Sequence, residues 1–173
     1  MQPTDFVTAL GQLLSNPALQ SSFAVSPHAV ADLLNVDNND RALFTALSSQ
    51  HIHAQAKLLI TKRMREVHKY LPITFKEAGA NIADIFADYA IHYWPSSYRR
   101  HQEDAYRFSQ HLIQKRISYN KSEFNRIKFI YSQRRLKIAV ANDAFMQGKK
   151  FPALQLFYKT KQTYGEWRLF LRA

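Results

Sequence analysis

The sequence predicts an α+β protein, with an N-terminal helical bundle followed by a small C-terminal antiparallel sheet of about three strands. Three observations carry this. From Ile52 to Tyr131 apolar residues recur at three- and four-residue steps, the spacing of one helix face. After Arg134 the period falls to two: Leu136, Ile138 and Val140 alternate with Arg135 and Lys137, and Leu154, Leu156 and Tyr158 with Gln155, Phe157 and Lys159. A third run sets Trp167, Leu169 and Leu171 against Glu166, Arg168, Phe170 and Arg172, and the Gly-containing loop Thr160–Gly165 before it suits a hairpin. The expected division is a helical domain over 1–132 and a β subdomain over 133–173.

The first helix is expected over Asp5–Leu14 with Thr4 as N-cap, broken by Asn16-Pro17. Ser26-Pro27 opens a second, with Val30, Leu33 and Leu34 inward. The polar turn Asp37–Asp40 caps a third, bearing Leu43, Phe44 and Leu47. A long helix follows over Ile52–Leu71, stopped by Pro72. Ile82–Tyr93 forms the next, ended at Trp94-Pro95. Beyond Ser96-Ser97 comes a helix with Ala105, Phe108, Leu112 and Ile113 inside. The last spans Ser122 to about Tyr131, with Phe124, Ile127 and Tyr131 aligned.

The totals bound the function. At 173 residues and 46% hydrophobic the chain can bury a core, and with no cysteine it can form no disulfide, zinc–thiolate site or cysteine nucleophile. The start MQPTDFVTAL lacks the basic start and apolar run of a signal peptide, and no stretch approaches the ~20 apolar residues that cross a bilayer. The expectation is a cytoplasmic protein. Net charge is +11, unevenly spread. Residues 1–50 hold one base against four acids, whereas residues 115–173 hold 14 bases against Glu123, Asp143 and Glu166. The sheet end therefore carries the basic field, which calls for an acidic partner: nucleic acid, an anionic protein face or an acidic peptide.

No catalytic constellation emerges. His51 and His53 would sit about 200° apart on a helix, and no histidine pair has the i, i+4 spacing of helical zinc sites. There is no nucleophile motif, and four glycines leave little from which to build a phosphate loop. The acids Asp84, Asp88, Glu103 and Asp104 fit solvated faces or helix starts, and Lys62-Arg63-Met64-Arg65 a solvated helix face. Catalytic and metal residues are accordingly expected to be none. The densest polar cluster is the turn from Trp94 to His101. Trp94, Tyr98, Arg99, Arg100 and His101 form a good anchor set for a protein interface; in the alternative reading Trp94 and Tyr98 plug the helix junction and both arginines are solvated.

The stretch LPITFKEAGANIADIFADYAIHYWPSSYRRHQEDAYRFSQHL, then SEFNRIKFIYSQRRLKIAV and FPALQLFYKTKQTYGEWRLFLRA, resembles the MbnC-type subunits of methanobactin biosynthesis. Their genes lie beside those of TIM-barrel multinuclear iron oxidases. The resemblance spans roughly residues 50–173. It implies a heterodimer with an MbnB-type TIM-barrel iron oxidase that holds the iron, with no cofactor in this chain. Together the two subunits would convert a cysteine of a ribosomally made precursor peptide to an oxazolone with an adjacent thioamide. This chain would bind the precursor's leader, and the turn residues Trp94, Arg99, Arg100 and His101 would face the oxidase.

An exposed sheet edge is the expected leader site, since an extended peptide completes its backbone hydrogen bonds. Arg135–Val140 is the preferred edge, with Arg135, Leu136, Lys137, Ile138, Ala139, Val140, Phe157, Lys159 and Arg168 as peptide-binding residues. Arg134, Lys161 and Arg172 add positive charge around it. Leu136, Ile138, Leu154, Leu156, Leu169 and Leu171 are expected to fix the sheet on the helices, and Pro152 to begin its strand. Basic charge interleaved with Tyr, Phe and Trp over 128–170 also suits a single-stranded nucleic acid, the competing reading.

Overall fold

The computed structural model describes residues 2–161 and 163–171 and has the expected α+β architecture, with helices leading into a three-stranded antiparallel sheet. Compactness groups the chain into two units, Met1–Lys62 with Ala90–Trp94, and Arg63–Tyr89 with Pro95–Ala173. The sheet thus shares a unit with the helices just before it.

In the first unit, α1 (Phe6–Ser15), α2 (Pro17–Val25), α3 (Pro27–Leu33) and α4 (Asn38–Thr45) are each opened by a side-chain cap. Asp5, Asn16, Ser26 and Asp37 accept hydrogen bonds from backbone N–H groups of the first turns, satisfying donors that a helix cannot satisfy itself. The cap of α1 is Asp5 rather than Thr4, whose backbone instead bridges to Val36. Asn16-Pro17 ends α1 and also starts α2, because Pro is favoured at a first helical position. Leu13, Phe23, Val30 and Phe44 are buried together, with Phe23 and Phe44 edge to face at 5.5 Å. Leu33, expected inward, is exposed, as is Leu43 on α4; helices of seven and eight residues bury too narrow a stripe to include them.

The first part of α5 (Ser49–Tyr70) lies in this unit and its end in the second. The second unit also holds α6 (Pro72–Ala78), most of α7 (Ile82–His92), α8 (Arg100–Gln114) and α9 (Lys121–Tyr131). Pro72 does not only stop α5; it is also the first residue of α6. Phe75, Phe86, Tyr89 and Phe108 form an aromatic cluster with ring centroids 4.9–5.9 Å apart. Ile113, expected inside α8, is exposed.

Two acids and a base expected in solvent are buried in this unit, and a third acid, Glu123, is buried with them. Arg63 and Asp104 are buried and paired, Nε to Oδ2 at 3.0 Å and Nη2 to Oδ1 at 2.8 Å, while the Tyr89 hydroxyl donates to Oδ1 at 2.7 Å. Glu103 is buried and accepts from the Ser97 N–H. Glu123, also buried, accepts from Ile73 N, Thr74 N and Thr74 Oγ1, each at 2.8 Å, and so ties α9 to the start of α6. Burial nevertheless raises its carboxyl above the ordinary range, outweighing those hydrogen bonds and the nearby Arg126.

The sheet consists of β1 (Leu136–Met146), β2 (Lys149–Lys159) and β3 (Tyr164–Phe170), in that order, with β2 central. A two-residue turn, Gln147-Gly148, joins β1 to β2; both residues have positive φ (50° and 78°), as the tight turn matching strand twist requires. The first two strands therefore pair as a hairpin, as do the last two. A bulge between Ala141 and Ala144 inserts Asn142 and Asp143 opposite Pro152. It aims the Asp143 carboxylate at the start of α9, where it accepts from Lys121 N and Ser122 N. Pro152 lies within β2 rather than ahead of it, tolerated because the ladder is already interrupted there.

Which face of the sheet is covered reverses expectation. The face on α9 carries Ala141, Ala144, Ala153, Gln155 and Phe157, all fully buried. Leu136, Ile138, Val140, Trp167, Leu169 and Leu171 are 43–68% exposed, and Leu154, Leu156 and Tyr158 between them are half-buried. Alternation defines two faces but not which one a helix covers. Here the alanines let α9 approach closely, and hydrogen bonds make the polar side chains tolerable inside.

Candidate functional site

The covered face is built around Gln155. Its Nε2 donates to Ser122 Oγ and Glu166 Oε1, both at 2.8 Å, and its Oε1 accepts from Asn125 Nδ2 at 3.1 Å. Glu166 in turn binds Arg168 Nε. Sequence reasoning missed this network; the one signal was a glutamine opposite leucines in an alternating run.

Two lysines bracket it. Lys137 Nζ donates to the Asn125 carbonyl at 3.3 Å and stands 5.7 Å from the Phe157 ring centre. Lys159 Nζ donates to the Ile130 carbonyl at 3.1 Å and to the Ser132 carbonyl, at the C-terminal end of α9 where a cation is favoured. Both ammonium groups are held below the ordinary lysine range. For Lys137 burial is the main cause, followed by Lys128 and Arg134; for Lys159 it is burial, then Arg99.

The free edge of β1 can be derived from the ladder. Lys159 N donates to Arg135 O, so Arg135 faces Lys159 as a hydrogen-bonded pair, and antiparallel pairs alternate. Lys137, Ala139 and Ala141 then turn their backbone groups to β2. Leu136, Ile138 and Val140 turn theirs outward, where the described residues supply no further strand. Asn125 Nδ2 reaches the Val140 carbonyl at 3.3 Å, so the open stretch centres on Leu136 and Ile138. Arg134 and Arg135 are exposed beside it.

The residues expected to bind peptide divide accordingly. Leu136, Ile138 and Val140 share the edge and outer face, while Arg135, just ahead of β1, is exposed but turns its backbone to Lys159. Lys137 and Ala139 lie on the covered side, Phe157 is fully buried against Phe129 at 5.4 Å, and Lys159 and Arg168 are engaged internally. Arg172 lies outside the described residues.

The turn residues divide as well. Tyr98 is 95% exposed and Arg100 is exposed, whereas Arg99 donates to the Ile130 carbonyl and to Gln102 Oε1, anchoring α8 to the end of α9. Tyr98, Arg99, Arg100 and His101 line an open cleft of about 350 Å³ with Tyr70. A second cleft of about 500 Å³ lies between Tyr98, Arg99, Tyr106, Lys128 and Tyr131. Trp94 is partly exposed and falls in the other unit.

Among the described residues, no group of three or more His, Asp or Glu side chains is placed to hold a metal ion, and no helix is long and apolar enough to cross a membrane. Fold and site define an α+β protein with a basic, open-edged sheet. No protein-family model, curated protein or solved structure matches the chain.

Proposed function

We propose that the chain is a non-catalytic subunit that adds the leader of a ribosomally made precursor peptide to the β1 edge and works beside an iron-dependent oxidase. The edge geometry carries the peptide-binding part: outward backbone groups at Leu136 and Ile138 beside Arg134 and Arg135. An added strand would pair with those groups, and the crowding of Lys128, Arg134 and Lys137 would be relieved by carboxylates on the incoming peptide. The oxidase half of the reading rests on the resemblance to MbnC-type subunits. The partner would be an MbnB-type TIM-barrel iron oxidase holding the iron, and the product an oxazolone/thioamide pair made from cysteine. The exposed residues Tyr98 and Arg100 are the better candidates for facing that partner, because Arg99 is engaged within the chain.

The test is titration of a fluorescent, acidic methanobactin-type leader peptide against wild type and Ile138→Pro at two salt concentrations. Ile138 faces Leu156 as a non-hydrogen-bonded pair, so proline there removes an outward donor while leaving the β1–β2 ladder intact. Affinity should fall roughly tenfold, about the 1.4 kcal/mol of one lost hydrogen bond, and weaken with salt as screening shortens. Unchanged affinity in a folded variant rejects this edge. Preference for an oligonucleotide over the leader favours the nucleic-acid reading.

A further inference from the structure

The outer face of the sheet has a use that edge pairing leaves open. Its side chains fall in three ranks across the strands: Leu136–Tyr158–Gly165, Ile138–Leu156–Trp167 and Val140–Leu154–Leu169, with Leu171 beyond. Ile138, Trp167 and Leu169 are 62%, 68% and 63% exposed, while the β2 residues between them are half-buried. At the second and third ranks the surface is therefore a shallow trough along β2 between apolar side chains of β1 and β3; at the first, the Tyr158 ring lies over Gly165. At ~150–200 Å² for a whole side chain of this size, the face exposes roughly 700 Å² of apolar area; the largest patch on a typical monomer is ~300–600 Å², and one side of a standard interface ~800 Å².

Its dimensions and charge specify the occupant. Strands about 4.8 Å apart and a rise of about 3.4 Å per residue make the ranks roughly 10 Å wide and 14 Å long. That is the footprint of one α-helix of about three turns. Arg134, Arg135, Lys149 and Lys161 are exposed at the strand ends. The three acids of residues 115–173 are directed elsewhere: Glu123 is buried under α6, Asp143 caps α9 and Glu166 binds Gln155 and Arg168.

We propose that this face docks an acidic amphipathic helix of a partner protein, its apolar stripe in the trough and its carboxylates toward the basic rim. A second copy of this chain would set like charges against each other, at +11 apiece. A flat bilayer would bridge the flanking side chains without filling the trough. The proposal rests on the binding-subunit reading but uses side chains of the outer face, whereas the leader pairs with backbone groups along the β1 edge.

The test uses the full chain and an acidic amphipathic peptide of about 14 residues, with leucines at helical spacing and flanking glutamates. Controls are its lysine-flanked isomer, a scramble and anionic phosphatidylserine vesicles. The acidic peptide should bind, blue-shift the Trp167 emission (taken as the difference from Trp167→Phe) and lose affinity with salt. Trp167→Ser with Leu169→Ser should weaken it about tenfold or more, as truncating anchor residues does. Leu169→Lys, which keeps the exposed position soluble, serves as the second variant. Leader titration should be unchanged in these variants, and the two peptides are titrated separately against wild type, so either reading can fail alone. Equal binding of the scramble or lysine isomer, preference for vesicles, or concentration-dependent dimerisation removed by Leu169→Lys would overturn the proposal.

Discussion

Asp104→Leu should be among the most damaging single changes in this chain, and the structure sets its size. Asp104 is 1% exposed and holds both Nε and Nη2 of Arg63, itself 8% exposed, whose guanidinium carbon lies 5.8 Å from the ring centres of Phe86 and Tyr89. Removing the carboxylate takes both of these hydrogen bonds from a buried guanidinium, and breaking such a pair costs ~3–5 kcal/mol. For a chain of this length each kcal/mol moves Tm by about 2–4 °C, so the single variant should melt roughly 6–20 °C lower. Replacing both partners, Arg63→Met with Asp104→Leu, should recover most of that loss. The pair's Coulomb energy is offset by desolvation, and the Tyr89 hydroxyl keeps the backbone carbonyl of residue 104, now at 3.3 Å, as its acceptor. Thermal melts of the four proteins of this cycle, followed by circular dichroism, give the coupling. If the double variant is no more stable than Asp104→Leu alone, the ion pair is not what holds the end of α5 to α8.

Other consequences follow from the same packing. Because the folded Glu123 carboxyl binds its proton more tightly than the ordinary value of 4.5, its stabilising contribution is full below that value and lost as pH rises through the raised one; wild type should therefore gain stability relative to Glu123→Gln on acidification across that window, checked by denaturant melts at several pH values. Gln155→Leu should cost ~1–3 kcal/mol in urea unfolding, since it strips partners from Asn125 and Ser122. Gly165→Ala should destabilise the β2–β3 hairpin, because an added Cβ would meet the Tyr158 ring at 2.3 Å; Tyr158→Ala in the same chain should relieve it, as hydrogen exchange of β3 amides would report.

Local signals carried most of the architecture. Caps and first-turn prolines at Asn16-Pro17, Ser26-Pro27 and Asp37 are short-range chemistry, although Asn16-Pro17 and Pro72 were legible as helix stops and not as the starts they also are. The turn at Gln147-Gly148 extends both strands beyond their alternating cores, and its glycine was the available clue. Partner choice was not legible. Arg63 and Asp104 stand 41 residues apart, and a charged residue on a helix looks solvated until the fold supplies its counterion. Arg99 likewise passed for an interface residue because its acceptor, the Ile130 carbonyl, is a backbone atom that no side-chain pattern reveals. The preference for the β1 edge rested on one hairpin, that of the last two runs; the other, at Gln147-Gly148, makes β2 central and leaves edges on both β1 and β3.

The reversed sheet explains why edge and face can work independently. Had the leucines faced α9, the hydrophobic contact holding the sheet would also have been its largest apolar surface, leaving outside a face of alanines, Phe157 and polar side chains. Instead a thin buried layer of alanines, Phe157 and a hydrogen-bonded glutamine anchors the sheet. That layer depends on Ser122 and Asn125 of α9 and on the Asp143 bulge, none of which touches the outer face. Substitutions at Ile138, Trp167 or Leu169 should therefore change what binds while leaving stability within about 0.5 kcal/mol, the range of exposed positions. Chemical denaturation of Trp167→Ser and Leu169→Ser checks this directly. A loss above about 2 kcal/mol, the cost of emptying a core site, would mean that these side chains support the sheet rather than await a partner.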